Sequence, residues 1–292
     1  MREIAFRFEC EGSSLLGIVH EPEQPADLGV LMVVGGGPQY RVGGHRQLVL
    51  WARALADQGI SVMRFDYRGV GDSGGLFRGF DHMQADLQAS IRAFFETAPT
   101  LRRLILWGEC DASSAIMMHA HEDPRVIGLS LQNPWARTVA AQAKAYIKHY
   151  YLRRLSERSF WRKVLRFEFN PFAAAYSLVQ NALRASQGSS KKTSGAAAEQ
   201  RLSYIDRMKI GFKAYDGEVL LYMSGRDLMA REFDDLVTSD KEWGALIRRD
   251  TVRRIDLPLA DHTFSSSEMR QRVLDSASEW IGKLRAAAPS GG

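Results

Sequence analysis

Short, uniformly apolar runs alternate along the chain with longer segments in which apolar residues recur every three or four positions. The runs are typical of buried strands in a parallel sheet, because helices cover both faces of such a sheet. The longer segments are typical of amphipathic helices. The predicted strands are residues 29–34, 61–65, 104–107, 126–131, 218–223 and 251–257, and the predicted helices are residues 45–58, 80–97 and 267–284. This alternation predicts an α/β chain built on a mostly parallel sheet.

The first twenty residues follow a different pattern. Residues 4–8 and 15–19 alternate or cluster apolar side chains around the turn sequence Glu11-Gly12-Ser13. Two such runs joined by a turn that contains glycine predict an antiparallel hairpin. We expect this hairpin to be structural.

Residues 101–119 contain a motif that predicts chemistry. The apolar run 104–107 meets the sequence GECDA at 108–112, and helix-favouring residues follow at once. A strand, a sharp turn and a helix, with small residues two positions either side of a nucleophile, form the G-x-S-x-G elbow of α/β-hydrolases. Cys110 stands here in the serine position and Ala112 in that of the second glycine. The elbow places the thiol at a helix N-terminus, whose partial positive charge favours a thiolate.

Two further residues complete a predicted catalytic triad with Cys110. Asp227 and His262 come just after the strands predicted at 218–223 and 251–257. The chain order nucleophile, acid, base is that of α/β-hydrolases, and the carboxyl ends of parallel strands share one edge of the sheet. We expect the imidazole of His262 to take the proton of Cys110, and Asp227 to hold the ring in the correct tautomer.

Each member of this triad has a competing interpretation. Cys110 can be read as a small buried hydrophobe, as most unpaired cysteines are. Ser113 and Ser114 are alternative nucleophiles, although they fall inside the helix that follows the elbow. Asp234 and Asp235 are alternative acids, although they lie farther along the helical segment. The histidine can be read as a surface residue of a loop rich in serine and threonine.

A glycine-rich run at 35–37 follows one of the predicted strands. In α/β-hydrolases the loop at this place donates one amide to the oxyanion hole, and the residue after the nucleophile donates another. Pro38 has no N–H to donate, so we expect Gly37 or Gln39 to supply the first amide and Asp111 the second. A plain glycine turn is the alternative. The spacing fits neither the dinucleotide fingerprint nor a P-loop.

The sequence DYRGVGDS at 66–73 resembles the D-x-R-G-x-G-x-S loop of many α/β-hydrolases. In that family the loop mainly braces the active site. Asp66 and Arg68 are therefore expected to be structural and not catalytic.

The composition changes sharply after residue 133. Residues 134–213 hold sixteen lysines and arginines against four acidic residues, in a chain whose formal net charge is +5. The segment is aromatic and helix-prone, and it lies where α/β-hydrolases commonly insert a lid. A solvated basic face is the simplest interpretation. The alternatives are an interfacial helix on anionic lipid and a lid that binds an acidic substrate, such as a carrier-linked acyl group. Nucleic acid is not expected, since no binding motif accompanies the charge.

Composition narrows the class of protein without naming an activity. The 292 residues, 45% apolar and 25% charged, suffice for one large domain with an insertion. Cys10 and Cys110 show neither metal-ligand spacing nor a disulfide framework, so we expect no metal, no cofactor and a reducing, cytoplasmic compartment. The first residues lack a signal-peptide core, and no run approaches the length of a membrane span. Any membrane contact is expected to be peripheral.

Several longer stretches together carry a more specific resemblance. They are the run from GGGPQY to GDSGG at 35–75, the elbow WGECDASSA, NPWART, KHYYLRRL, FWRKVL and SGRDLMAREF. The chain is similar over nearly its whole length to exosortase A system-associated hydrolase 1. That family is a branch of the α/β-hydrolases encoded with bacterial exopolysaccharide and PEP-CTERM sorting systems. The resemblance implies the fold and a cysteine at the elbow, and it supplies no substrate.

The predicted architecture is an α/β-hydrolase fold, with a mostly parallel eight-stranded sheet, helices on both faces and an inserted helical lid. The core is expected at 1–133 and 214–285, the basic lid at 134–213 and a disordered tail at 286–292. The leading hypothesis is hydrolysis of an ester or thioester, or acyl transfer from one, by a Cys-His-Asp triad. A non-catalytic protein that docks to a membrane or partner through the basic lid is the alternative, followed by a cysteine-dependent peptidase.

Overall fold

The computed structural model describes residues 1–37, 39–137 and 202–287. In these ranges eight strands form one sheet: β1 (Arg2–Cys10), β2 (Ser13–Glu21), β3 (Leu28–Val33), β4 (Ser61–Asp66), β5 (Arg103–Glu109), β6 (Val126–Gln132), β7 (Glu218–Ser224) and β8 (Val252–Leu257). The α-helices there are α1 (Gln47–Asp57), α2 (Gln84–Thr97), α3 (Asp111–His119), α4 (Tyr204–Ala214), α5 (Leu228–Ser239), α6 (Lys241–Ile247) and α7 (Ser267–Ala286). Single 3₁₀ turns lie at Gly44–Arg46, Phe80–His82 and Ala120–Glu122.

The strand order is β1-β2-β4-β3-β5-β6-β7-β8. The N-terminal hairpin β1–β2 is antiparallel, β2 also pairs antiparallel with β4, and every later neighbour is parallel. Because β3 to β8 run in one direction, their carboxyl ends share one edge of the sheet. The loops that follow β3, β5, β7 and β8 therefore meet at that edge. The predicted α/β-hydrolase fold with an eight-stranded, mostly parallel sheet is confirmed.

The core lies in the central strands and in the helices that cover them. Every residue of β3 and of β4 is buried, which requires cover on both faces of the sheet. Helix α1 contributes Trp51, whose ring contacts Trp107 of β5 at 5.3 Å between centroids and whose indole N–H donates to the carbonyl of Arg270 in α7. This packing fixes the end of β5, from which the elbow projects.

The chain divides into two compact units, one formed by Met1–Ala136 with Leu202–Gly292 and the other by Arg137–Arg201. Helix α4 lies in the first unit, although the sequence places its residues in the insertion 134–213. Most of the predicted basic lid, residues 138–201, and the end of the predicted tail, residues 288–292, lie outside the described residues. Among the helices that are described, none is long and apolar enough to cross a bilayer.

Candidate active site

The sharp turn between β5 and α3 holds Cys110 in a backbone conformation that few residues other than glycine adopt. Its φ is 52° and its ψ is −121°, and such strain is typical of functional sites. The backbone N–H of Cys110 donates to the carbonyl of Gln132 at the end of β6, at 2.8 Å. A Cβ placed on Gly108 would lie 2.9 Å from the backbone nitrogen of Ser113. Strand and helix are therefore too close at this turn for any larger residue.

Three side chains meet at the carboxyl edge of the sheet. Nδ1 of His262 lies 2.7 Å from Oδ2 of Asp227, and the Cys110 thiol lies close enough to the same ring to raise its pKa. The carboxylate of Asp227 also accepts the amides of Met229 and Ala230, at 3.0 and 3.1 Å, as the N-cap of α5. Its N-cap position thus fixes the Asp227 carboxylate, and the fixed carboxylate orients the ring.

The electrostatics around the His262 ring favour an imidazolium. The hydrogen bond with Asp227, followed by the interaction with Cys110, raises the pKa of His262 to about 10, although burial of the ring works against the charge. Burial alone would raise the pKa of Asp227, but the hydrogen bond from His262 and the two amides outweigh it and leave that pKa below its usual value. The protonated ring is therefore favoured beside the Asp227 carboxylate.

Asn133, just past β6, ties the histidine loop to the strand ends. Its side-chain amide donates to the backbone carbonyl of His262 and to the hydroxyl of Ser224, both at 2.9 Å, while its Oδ1 accepts the N–H of Ser224 at 2.8 Å. Its φ of 45° is one that asparagine tolerates better than most residues. In the sequence, only the Asn-Pro pair that follows the apolar run 126–131 marks this position.

The loop after β3 contacts the elbow through the amide of Gly36, whose N–H donates to Oδ1 of Asp111 at 2.7 Å. Burial raises the pKa of Asp111, although hydrogen bonding to nearby amides opposes the shift. The N–H of Gln39 donates to the carbonyl of Gly37 at 2.6 Å. Of the amides expected to form the oxyanion hole, that of Gln39 is thus engaged within the chain.

Close packing holds this loop against the elbow. A Cβ on Gly35 would lie only 1.9 Å from the backbone carbonyl oxygen of Glu109, a distance at which no side chain fits. The hydroxyl of Tyr67, at the end of β4, donates to the carbonyl of Gly37 at 3.2 Å. By contrast, a Cβ on Gly37 would meet no atom within 4 Å. Space for a substrate atom therefore lies beside Gly37, and none lies beside Gly35.

Glu109 is the last residue of β5 and immediately precedes Cys110. Its carboxylate accepts a hydrogen bond from Nε2 of the buried Gln47 in α1. Burial raises the pKa of Glu109 to about 7, against the hydrogen bond from Gln47 and the positive charge of His262. The elbow motif assigns no role to Glu109. The structure adds a second carboxyl group close enough to feel the charge of the imidazole.

The loop at 66–73 braces the site from the side of β4. The fully buried carboxylate of Asp66 accepts the backbone N–H of Arg41 at 2.6 Å and that of Asp72 at 3.0 Å, and it pairs with the Arg41 guanidinium. Arg68 forms a bidentate pair with Asp86 of α2. Asp66 thereby anchors the far end of the glycine loop, and neither residue contacts the triad.

The rival residues are occupied elsewhere. Both hydroxyls after the elbow are fully buried: that of Ser113 donates to the carbonyl of Gly108 at 2.7 Å, and that of Ser114 to the carbonyl of Trp135 at 2.7 Å. Asp234, inside α5, pairs with Arg254 of β8 at 2.7 Å, while the neighbouring Asp235 is exposed. In the described ranges, no group of three or more His, Cys, Asp or Glu residues is placed to hold a metal ion.

Solved structures of known proteins share the fold. The α/β hydrolase GrgF from Penicillium sp. sh18 has a TM-score of 0.63 at 16% identity, over 98% of this chain and 100% of that one. The esterase Pf2001 of Pyrococcus furiosus has 0.62 at 13%, over 97% and 92% of the two chains. Proline iminopeptidase of Mycobacterium smegmatis has 0.58 at 17%, over 98% and 100%. At these identities the likeness concerns the fold alone.

A search of curated proteins gives no match. The profile of the Hydrolase_4 family, described as serine aminopeptidase S33, matches residues 44–234, well over half of the chain. This match spans the elbow and extends past Asp227. The chain therefore belongs to the Hydrolase_4 family of α/β-hydrolases.

Proposed function

We propose that the protein is an acyl hydrolase, or an acyltransferase, that uses Cys110 as the nucleophile on an ester or thioester. His262 serves as the acid and base, and Asp227 orients the imidazole. One observation carries the proposal: the His262 ring is paired with the Asp227 carboxylate and lies close enough to the Cys110 thiol for that thiol to raise its pKa. The strained elbow and the family match support it.

The proposed reaction has two steps, the formation and the breakdown of a thioester on Cys110. In the first, the Cys110 thiolate attacks the carbonyl carbon, a C–S bond forms, and the carbonyl electron pair moves to the oxygen. When the C–O or C–S bond to the leaving group breaks, the leaving group takes a proton from the His262 imidazolium. In the second step the neutral ring takes a proton from water or another acceptor, which attacks the thioester. The C–S bond to Cys110 then breaks. The site is left in its starting state, with a Cys110 thiolate and a protonated His262 ring.

A cysteine nucleophile favours esters and thioesters over amides. A thiolate leaves a tetrahedral intermediate more readily than an amine does, so attack on an amide tends to revert unless the amine is protonated first. An alkoxide or thiolate leaving group departs from the tetrahedral intermediate more readily than an amine does, so attack by Cys110 reverts less often. The family description names a serine aminopeptidase, whereas residue 110 of this chain is cysteine. We therefore expect the enzyme to prefer ester and thioester substrates to amide substrates.

We also propose a cellular process in which the protein acts and a class of substrate. The resemblance to exosortase A system-associated hydrolase 1 supports a role beside exopolysaccharide or PEP-CTERM sorting systems. The excess of basic residues in 134–213 supports an anionic, carrier-linked acyl substrate, or peripheral contact with an anionic membrane from the cytoplasmic side.

A substrate panel tests the proposed activity. The purified protein is assayed with p-nitrophenyl esters, acyl-coenzyme A thioesters and an aminoacyl p-nitroanilide. We expect turnover of an ester or thioester that falls by about a thousandfold or more in Cys110→Ala. The matched control is Cys10→Ala, since Cys10 is the other cysteine, is also buried, and lies at the end of β1. Undiminished turnover in Cys110→Ala, or preference for the anilide, would contradict the proposal.

A further inference from the structure

Strand β8 forms one edge of the sheet. It pairs in parallel with β7 along its whole length, without a shift in register. The carbonyl of Leu257 accepts the N–H of Gly225, just past β7, at 2.9 Å. Backbone groups alternate in direction along a strand, so the N–H and C=O groups of Arg254 and Asp256 point away from β7. Among residues 1–37, 39–137 and 202–287, no other strand pairs with this outer side.

The sequence of β8 does little to protect this edge. Natural proteins usually guard an open strand with proline, with lysine or with a bulge. Residues Val252–Leu257 contain neither proline nor lysine, and their pairing with β7 contains no bulge. Their charges are of both signs, because Arg254 and Asp256 lie two positions apart and share a face of the strand. These two side chains pair within the chain at 2.7 Å, and that of Asp256 remains 60% exposed.

Charge selects one register in which a second copy can pair with this edge. Two β8 strands that meet antiparallel through their outward groups can place Arg254 opposite Arg254, Asp256 opposite Asp256, or each opposite the other. The first two registers set like charges face to face, which is destabilising. In the third register, Arg254 of each copy lies opposite Asp256 of the other, and two-fold symmetry forms this attractive pair twice.

We propose that β8 is a homodimer interface, at which two copies join antiparallel with Arg254 of each opposite Asp256 of the other. The two residues of each pair exchange both of their backbone hydrogen bonds, so that groups facing away from β7 become paired. The two eight-stranded sheets thereby form one continuous sheet. The guanidinium has more donors than the pair within one chain uses, so that pair need not break.

Helices on the two faces of β8 extend the contact. Nη1 of Arg254 lies 2.7 Å from Oδ1 of Asp234 in α5, and Nη1 of Arg253 lies 3.4 Å from Oε1 of Glu279 in α7. Neighbouring side chains of a strand point to opposite faces, so α5 and α7 lie on opposite faces of this edge strand. In the dimer each helix therefore lies near its counterpart in the second copy, and the contact extends beyond the strands.

The antiparallel arrangement keeps the two active sites apart. The carboxyl ends of two antiparallel strands point in opposite directions, and the triad lies at the carboxyl edge of the sheet in each copy. The two sites therefore face away from each other. The inference is independent of the proposed chemistry, because no residue of β8 belongs to the triad.

Charge substitution at the two paired positions tests the proposal. Light scattering after gel filtration gives the mass, and sedimentation equilibrium gives the dissociation constant. The wild type should have about twice the 32.8 kDa mass of one chain. Arg254→Asp and Asp256→Arg each replace two attractive pairs by two repulsive ones. We therefore expect each variant to raise the dissociation constant at least about a hundredfold.

Mixing the two variants separates a contact between copies from a role within one chain. Each variant alone has like charges at the two positions, whereas one chain of Arg254→Asp and one of Asp256→Arg restore two opposite pairs. The equimolar mixture should therefore form a heterodimer, and the double variant Arg254→Asp/Asp256→Arg should form a homodimer. Loss of the pair between Arg254 and Asp234 within one chain predicts no such recovery in the mixture.

Arg253→Asp is the matched control. It makes the same change of charge at the neighbouring residue, whose side chain lies on the other face of β8, and it should remain dimeric. Hydrogen exchange gives a second measurement that needs no substitution. In the wild type, the amides of Arg254 and Asp256 should be protected at high protein concentration and should exchange faster on dilution. Circular dichroism checks that each variant is folded.

Four results would overturn the proposal. The first is a wild type that stays monomeric at the highest concentration at which it is soluble. The second is a dimer that neither charge variant weakens, since another surface would then form it. The third is a mixture of the folded variants that stays monomeric, and the fourth is an equal loss of affinity in Arg253→Asp. If Arg254→Asp does not fold, monomeric Asp256→Arg and a dimeric double variant support the proposal, and the reverse pattern overturns it.

Discussion

The side-chain amide of Asn133 donates a hydrogen bond to the backbone carbonyl of His262 at 2.9 Å, across 129 residues of sequence. The same amide reaches Ser224 at the end of β7. This asparagine therefore fixes the position of the His262 loop relative to the ends of the strands, and it does so through the backbone of His262 and not through the imidazole. The arrangement separates a residue that holds the loop from the residues that we propose to react.

Replacing Asn133 should weaken catalysis more than binding. Asn133→Asp preserves the acceptor for the N–H of Ser224 but removes the donor to His262, so the ring loses its fixed position. We expect kcat for an ester to fall about tenfold, as for one misplaced catalytic group, with KM nearly unchanged. Asn133→Ser, which restores a donor on a shorter side chain, should recover part of kcat. Equal changes in kcat and KM would indicate a purely structural role.

Asp227→Asn should lower activity while leaving the fold intact. Asparagine caps helices about as well as aspartate, so α5 should retain its start. The neutral amide, however, cannot stabilise the imidazolium or fix its tautomer, and kcat should fall by about a thousandfold or more. Urea unfolding and steady-state kinetics measure the two effects separately.

Asp240→Asn is the matched control for this variant. Asp240 caps α6 by accepting the amides of Glu242 and Trp243, at 2.8 and 3.1 Å, and its other oxygen pairs with Lys209 and not with a triad residue. We expect its activity to stay within about twofold of the wild type, since a cap alone contributes only about 1 kcal/mol of stability. If both variants lose activity equally, Asp227 has no special relation to His262.

The raised pKa of His262 makes a prediction about stability and pH. Because the folded state holds the proton more tightly than the unfolded state, this histidine adds stability that is complete below about pH 6.5 and is lost as the pH rises toward about 10. The stability difference between wild type and His262→Gln should therefore shrink across this range. Urea unfolding at pH 6, 8 and 10 measures it. Because the ring is 36% exposed, we expect the change in the stability difference to be modest. A stability difference that stays constant or grows with pH would contradict the ion pair between His262 and Asp227.

Gly35→Ala should destabilise the protein and displace the glycine loop. The new methyl group would lie 1.9 Å from a backbone carbonyl that cannot move without the elbow. We expect the free energy of unfolding to fall by about 3 kcal/mol, as in other severe overpacking changes. Gly282→Ala in α7 is the control, because nothing lies within 4 Å of its added Cβ. That change should stabilise the helix by about 0.5–1 kcal/mol.

Hydrophobic pattern alone predicted the central strands, because β3 and β4 are buried on both faces and so have no polar positions to interrupt them. Helix α6 was not predicted, because it is only seven residues long and so shows little periodicity. Helix α4 was predicted only as part of the helical insertion, because charge composition assigns its segment to the lid.

The triad residues could be proposed from sequence because each follows a strand, and the parallel sheet brings those strand ends together. The contacts of Asn133 and Asp111 left no such signal. Each joins a side chain to backbone groups 75 or more residues away, and no spacing in the sequence records such a pairing. The orientation of the amides after β3 also depends on one acidic side chain that the elbow motif does not specify.

Identifying the residue that carries the acyl group tests the central claim most directly. His262→Ala is incubated with p-nitrophenyl butyrate, whose leaving group needs no proton, so that acylation proceeds while attack by water is slowed. Intact mass and peptide mapping then locate the adduct. The account predicts one butyryl group on the peptide that contains Cys110, and none on Cys10. A butyryl group on Ser113 or Ser114, or no adduct at all, would contradict it.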